Sequence, residues 1–458
     1  MNRETDTRTM LLTERPFRLM LSLSLPAIIG MVVIGLYNLM DAVFVGQMIG
    51  PSAMGAVTVA YPFTLVNNGI ATLLGVGSAS VLARAIGKMD QATVDRVMGN
   101  LSMCVLVLSL IVTAAGMVFT RRILALSGAE GEILSQAERY LRIIYAGSLF
   151  VNFAQAANMV MRGEGLLKRA MLIMGIGAVL NIALDPLFIA LTHRVEGAAY
   201  ATVLAQAVQA AITLWYFAKK SKIVRIRRVR VDGRILPEVL GVGVSAMLMQ
   251  VMQMVQQTIM YNVAAQYGGD SWQILLGACL RIQAFAFIPL WGLSQGFQPA
   301  AGTNYGAEQF ARVRQMMRVF LLGGTVLSLA FYLPVMLNPR AVLSLFITDA
   351  AIAGMGVGSL RLFFSTYIIL PLMILSITLF QSIGKGGKAA LLTILRQVAL
   401  FIPLCLLLPR VGGLGVQGVF LAPVITDLGV LVICVVMTGR ELKKTLPLAK
   451  SALGSTAP

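Results

Sequence analysis

Four oxygen-bearing side chains stand inside stretches that are otherwise apolar: Asp41, Asn181, Asp185 and Thr202. Asp41 closes a run that begins at Pro26 and passes through Tyr37, one turn before it on the same helical face. Asn181 and Asp185 are four residues apart and share a face, with Pro186 next in the chain. Two carboxylates, an amide and a hydroxyl can share a proton or hold a sodium ion through oxygens. An ionisable group inside a membrane span costs roughly 3 kcal/mol on insertion scales, so it normally faces protein or a wet cavity. The competing reading is that Asp41 only caps a helix end or bonds a neighbouring span. Pro26 removes one internal hydrogen bond and allows its helix to bend. Protonation of Asp41 and Asp185 alternating with substrate binding is the chemistry this set suggests.

The elements that must position these groups are membrane spans. Of the 458 residues, 58% are hydrophobic and only 12% charged, and the mean hydropathy is +0.83. That composition excludes a soluble globular protein and indicates an all-α polytopic membrane protein. The net charge of +18 invites a nucleic-acid reading, but most of the 37 lysines and arginines fall in alternate segments. This is the positive-inside pattern, which places both termini in the cytoplasm and leaves no role for nucleic acid. Apolar runs predict twelve spans near 17–45, 53–83, 95–119, 134–160, 167–191, 195–217, 236–265, 272–302, 315–337, 356–382, 389–409 and 415–438. They divide as an N-lobe (1–218), a basic cytoplasmic linker (219–235) and a C-lobe (236–458) with a short tail. The linker carries Lys219, Lys220, Lys222, Arg225, Arg227, Arg228, Arg230 and Arg234, and reads as a solvated strap on anionic lipid.

The halves repeat. A near-constant offset pairs Gly50 with Gly269, Gly77 with Gly296, Gly87 with Gly306, Gly163 with Gly384, Gly165 with Gly386 and Gly197 with Gly418. Six spans per half make the copies parallel, related by an axis along the membrane normal. Across the repeat, Asp41 faces Met260, Asn181 faces Ile402, Asp185 faces Leu406 and Thr202 faces Pro423. Polar character is expected to concentrate in the first half. At about 1.5 Å per residue, Asp41, Asp185 and Thr202 fall at comparable depth in the outer half of the membrane.

Other polar residues leave alternatives open. Asn158 is a cavity candidate, whereas Tyr140, Asn152 and Gln155 serve equally as glue between helices. The seventh span interleaves Met247, Met249, Met252, Met254 and Met260 with Gln250, Gln253, Gln256 and Gln257. Such a surface can hold varied ligands, or can simply pack. Asp427 reads as one half of an ion pair with Arg281, Arg361 or Arg396. Cys104, Cys279, Cys405 and Cys434 lie in apolar spans without paired spacing and read as small core residues. No P-loop, metal-binding histidine pair or Ser/His/Asp set is present, so the chain reads as a non-enzyme without a cofactor.

The ordered set Leu25-Pro26, Asp41-Ala-Val-Phe-Val-Gly46, Ala83-Arg84-Ala-Ile-Gly87, Arg162-Gly163-Glu164-Gly165, Asn181-Ile-Ala-Leu-Asp185-Pro186, Gly197-Ala-Ala-Tyr-Ala201-Thr202 and Gly302-Thr-Asn-Tyr-Gly306 resembles the multidrug and toxic compound extrusion (MATE) family, in its DinF-like branch. The resemblance covers nearly the whole chain. It implies twelve transmembrane helices in two pseudo-symmetric six-helix lobes with a V-shaped central cleft. It implies export of amphipathic, often cationic small molecules from the cytoplasm across the inner membrane in exchange for a cation. Asp41, Asn181, Asp185 and Thr202 match that branch's coupling site, and Pro26 its hinge. Tyr37, Tyr140 and Asn158 match neighbouring cavity positions. Where the NorM-like branch has a glutamate in the seventh span, this chain has Gln253, Gln256 and Gln257 near Met260, which favours proton over sodium coupling. The expectation is a monomeric proton-coupled exporter. A sodium-coupled antiporter using the same four residues and a lipid-linked or metabolite flippase are the alternatives.

Overall fold

The computed structural model describes residues 3–126, 129–221, 223–226, 229–347 and 349–444, and structural statements refer to these residues. Lys222, Arg227 and Arg228 of the basic linker lie outside them, as does the side chain of Tyr37. The fold is helical, without strands among the described residues. In the first half come α1 (Arg3–Thr13), α2 (Pro16–Met48), α3 (Pro51–Lys88), α4 (Gln91–Leu126), α5 (Gly131–Ala146), α6 (Ser148–Gly163), α7 (Leu167–Thr192) and α8 (Glu196–Trp215). The second half holds α9 (Leu236–Gly306), α10 (Phe310–Leu337), α11 (Pro339–Ser344), α12 (Ala350–Met355), α13 (Val357–Phe364), α14 (Leu370–Ser382), α15 (Gly386–Ile394), α16 (Phe401–Leu407) and α17 (Gln417–Lys444).

Ten helical segments are long and apolar enough to cross a membrane, and α5 with α6, bent by 56°, make an eleventh. The twelfth crossing hides in α9. Its 71 residues break at Gly269, where φ is 68° and ψ −165°. Unbroken, they would reach about 106 Å, several times the hydrocarbon thickness, so α9 is two spans meeting at a turn. Twelve crossings in two lobes follow, as expected from the apolar runs. Gly50, the repeat partner of Gly269, also has positive φ (124°) and separates α2 from α3.

Two pairings of the repeat, Gly163 with Gly384 and Gly165 with Gly386, are corrected by the backbone. Gly165 closes α6 with its N–H on Arg162 O while Leu166 N–H reaches Met161 O; Gly384 closes α14 with its N–H on Gln381 O while Lys385 N–H reaches Phe380 O. These are one C-terminal cap in two copies, with φ of 89° and 79°. Gly165 therefore matches Gly384, and Arg162 matches Gln381, two residues out of step with the glycine alignment. A five-residue π-turn at Leu395–Ala399 takes up part of the drift that restores the Gly197–Gly418 pairing.

The lobes meet mainly through α3 and α9, at the end of the molecule where α1 lies. Small residues let the two backbones touch. A Cβ on Gly243 would sit 1.8 Å from Leu73 O, and one on Gly77 would sit 2.0 Å from Val239 O. Next to them Ser80 Oγ donates to Gln381 O, and Arg84 pairs with Glu238. Helix α1 lies across this seam. Arg8 donates from Nε to Ile86 O and from Nη2 to Gly87 O, both at 3.1 Å, on the N-lobe side. From the C-lobe, Asn304 Nδ2 donates to Leu11 O at 2.9 Å and Arg312 donates to Glu14 O. Each such bond contributes about 1 kcal/mol net. Arg8→Ala is expected to raise amide exchange in α1 about tenfold, with little change in α4, as read by hydrogen–deuterium exchange.

Candidate functional site

The N-lobe acids are set by α2, α7 and α8. The four-residue spacing puts Asn181 Nδ2 3.1 Å from Asp185 Oδ1, to which it donates. The same amide donates to Thr202 Oγ1 of α8 at 3.4 Å. Asp185 is wholly buried, Asn181 nearly so, and Thr202 partly. Asp41 is half-buried on α2, the helix packed directly against α7. Three oxygens here are buried without any donor: Asp41 Oδ1, Asn181 Oδ1 and Asp185 Oδ2. Gln206, one turn beyond Thr202 on the same face, adds a fourth in its Oε1. The i,i+4 relation of Gln206 to Thr202 is the one signal in the sequence that points to it.

A buried acceptor without a donor costs about 1–3 kcal/mol, and more when charged. A group of such oxygens is a built receptor for a proton or a hard cation, since either supplies the missing positive partner. Among the described residues no cluster of three or more His, Cys, Asp or Glu exists, so a transition-metal site has no support here. Asn181, Asp185 and Thr202 with Asp41 offer the oxygen-only set that sodium would accept.

The remaining predicted residues fall in different places. Pro26 lies within α2, which continues as one helix through it. Around it α2 is pressed onto the second half of α9, where a Cβ on Gly292 would meet Ile28 Cγ1 at 2.6 Å. Tyr140 is buried in an apolar cluster with Val45, Ala53 and Ile189. Asn158 donates to its neighbour helix at Ala170 O, 2.8 Å away, while its Oδ1 is buried without a donor. Gln253, Gln256, Gln257 and Met260 line a separate cavity of about 300 Å³.

That cavity belongs chiefly to the C-lobe. Only Thr72, Val76, Met159 and Arg162 reach it from the N-lobe. Nine glutamines line it, the four of the seventh span together with Gln283, Gln295, Gln298, Gln381 and Gln397. Concentration of polar character in the first half is thereby corrected: comparing repeat positions singled out charges and missed uncharged amides gathered from several helices. Asp427 resolves the choice of partner left open above. Arg396 Nε donates to its Oδ1 at 2.8 Å and Thr366 Oγ1 to its Oδ2 at 3.1 Å. The π-turn at Leu395–Ala399 carries Arg396, and such turns re-aim side chains within a helix.

A family model described as MatE matches this chain twice, at residues 26–187 and 245–407. The Multidrug export protein MepA of Staphylococcus aureus (strain N315) is 25% identical over 401 residues, covering 87% of this chain and 88% of that protein. The solved MATE multidrug transporter DinF-BH is 34% identical, covers 92% of this chain and 95% of its own, and superposes with a TM-score of 0.85. An outward-facing multidrug resistance MATE family transporter of the MOP superfamily is 29% identical, covers 95% and 98%, and gives 0.90. With twelve apolar crossings in two lobes and the family model found once in each half, the chain belongs to the MatE family of multidrug export transporters and is an integral membrane protein.

Proposed function

We propose that the chain is a secondary exporter in which Asp41, Asn181, Asp185 and Thr202 bind a proton in exchange for amphipathic, often cationic compounds. The observation that carries this reading is the group of donorless buried oxygens on Asp41, Asn181 and Asp185. A proton on one carboxyl converts an orphaned acceptor into a donor and removes the repulsion between the two acids. Losing that proton restores both costs, so protonation is coupled to how tightly α2 packs on α7. Pro26 is the bend through which α2 would respond, because its ring leaves Ser22 O without the usual helical N–H. Sodium at the same oxygens is the alternative coupling ion. No cofactor is invoked, and the exporter acts as a monomer.

The positive-inside pattern supports an inner-membrane protein with both termini and the 219–235 linker in the cytoplasm. On that assignment the seam of Gly77 and Gly243 is the cytoplasmic gate, shut in this conformation, and the lobes are 1–218 and 236–458. The likeness to DinF-BH supports the DinF-like branch. Dye efflux from everted vesicles tests the coupling. Collapse by a protonophore, with indifference to removal of sodium, is expected; collapse on sodium removal alone would select the alternative ion.

A further inference from the structure

Three charged residues line the 300 Å³ cavity: Arg162, Arg396 and Asp427. Both oxygens of Asp427 are already engaged, by Arg396 and Thr366. No carboxylate is left there to receive a cationic ligand. Arg162 is the opposite case. It is only 5% exposed, yet its Nε and Nη1 have no hydrogen-bond partner. It occupies the end of α6 that is the structural counterpart of Gln381 at the end of α14, and both line the cavity. A buried guanidinium without a counter-ion is costly, and an anion relieves that cost directly. The lining thus carries one uncompensated positive charge, while its nine glutamines donate and accept equally and add no charge preference. Phe287, Trp291, Phe363 and Met373 supply an apolar wall.

We propose that this cavity is a receptor for amphipathic monoanions, whose carboxylate or sulfonate pairs with Arg162 while Trp291, Phe287 and Phe363 take the apolar body. This deepens the export reading, on which it rests for the ligand's fate, by adding anions to the cargo. A cation placed here meets an unpaired guanidinium. Positively charged cargo therefore belongs nearer the N-lobe acids, and the two sites divide ligand recognition by charge.

The test is equilibrium binding to the full-length chain in phosphatidylcholine nanodiscs, without any ion gradient. Dansylglycine is the anionic probe, its methyl ester the neutral one and tetraphenylphosphonium the cation. Energy transfer from tryptophan to the dansyl group reports the first two, and displacement reports the third. Dansylglycine is expected to bind at least tenfold more tightly than its ester. Arg162→Gln should erase that preference while leaving ester binding unchanged, and Arg162→Lys should restore most of it. If Arg162→Gln fails to fold, Gln298→Glu, which adds a negative charge to the same wall, should produce the same loss. Including phosphatidylglycerol separates free from lipid-borne anions. Weakening of dansylglycine that requires Arg162 identifies the lipid headgroup as a competitor for this receptor. Equal binding of acid and ester, tighter binding of the cation, or a preference that survives both variants overturns the proposal. Coupled efflux would stand in any of those outcomes, because no transport is measured.

Discussion

Asp185→Asn is expected to abolish efflux driven by a pH gradient, lowering the rate in proteoliposomes at least tenfold, while the protein remains folded. The reasoning is local. Asp185 is fully buried, one of its oxygens accepts from Asn181, and the other has no donor. An asparagine keeps the volume and brings an N–H₂ group that the unpartnered Asn181 Oδ1 can accept. The variant therefore mimics the protonated acid and should hold the N-lobe in the state that proton binding favours. Thermal stability should rise or stay level, and its dependence on pH should flatten. Asp41→Asn should act in the same direction with a smaller stability change, since Asp41 is only half-buried. Exchange of labelled substrate without a gradient separates loss of coupling from loss of binding: exchange should persist. If both variants retained gradient-driven efflux and its pH dependence, the acids would be structural and the proposed coupling wrong.

The second large effect concerns the seam between the lobes. Gly243→Ala places a methyl carbon 1.8 Å from Leu73 O, and Gly77→Ala places one 2.0 Å from Val239 O. Both obstacles are backbone atoms, so no side-chain rotation relieves them. Overpacking of this kind costs about 1–3 kcal/mol. The cost falls only on the conformation in which α3 and α9 touch, so the variants should populate the state parted at this end, by roughly tenfold for each 1.4 kcal/mol. Spin labels on the exposed positions Lys168 and Gly387, one in each lobe, would read the change as a longer distance. An unchanged distance distribution in both variants would mean that the seam does not part.

How much of this could be read from residues alone varies with the range of the interaction. Asn181 with Asp185 was legible because a helix fixes i,i+4 neighbours whatever surrounds it. Thr202 was legible because span counting alone sets depth. The break at Gly269 was foreshadowed by its pairing with Gly50 and by the length of the run. The cavity in the second lobe was not, because its glutamines come from both halves of α9, from α14 and from the π-turn near Arg396. In a membrane protein the lipid face is as apolar as the core, so hydrophobic periodicity does not reveal which face a glutamine turns inward. Leu172 and Val179 on α7, and Val432 and Val435 on α17, are exposed in the structure yet look like core residues in the sequence. For Asp427, three arginines were equally plausible until the π-turn brought Arg396 beside it.

Helix α1 has a bearing on biosynthesis. Its N-lobe anchors, Ile86 and Gly87, lie close in sequence, but its C-lobe anchors Asn304 and Arg312 are translated some three hundred residues later. The bonds to Ile86 and Gly87 become available once the second span is made, whereas the C-lobe attachment must wait until eight of the twelve spans have been inserted. Closing so long a loop makes this second attachment, which ties the two lobes together through α1, a late event in assembly.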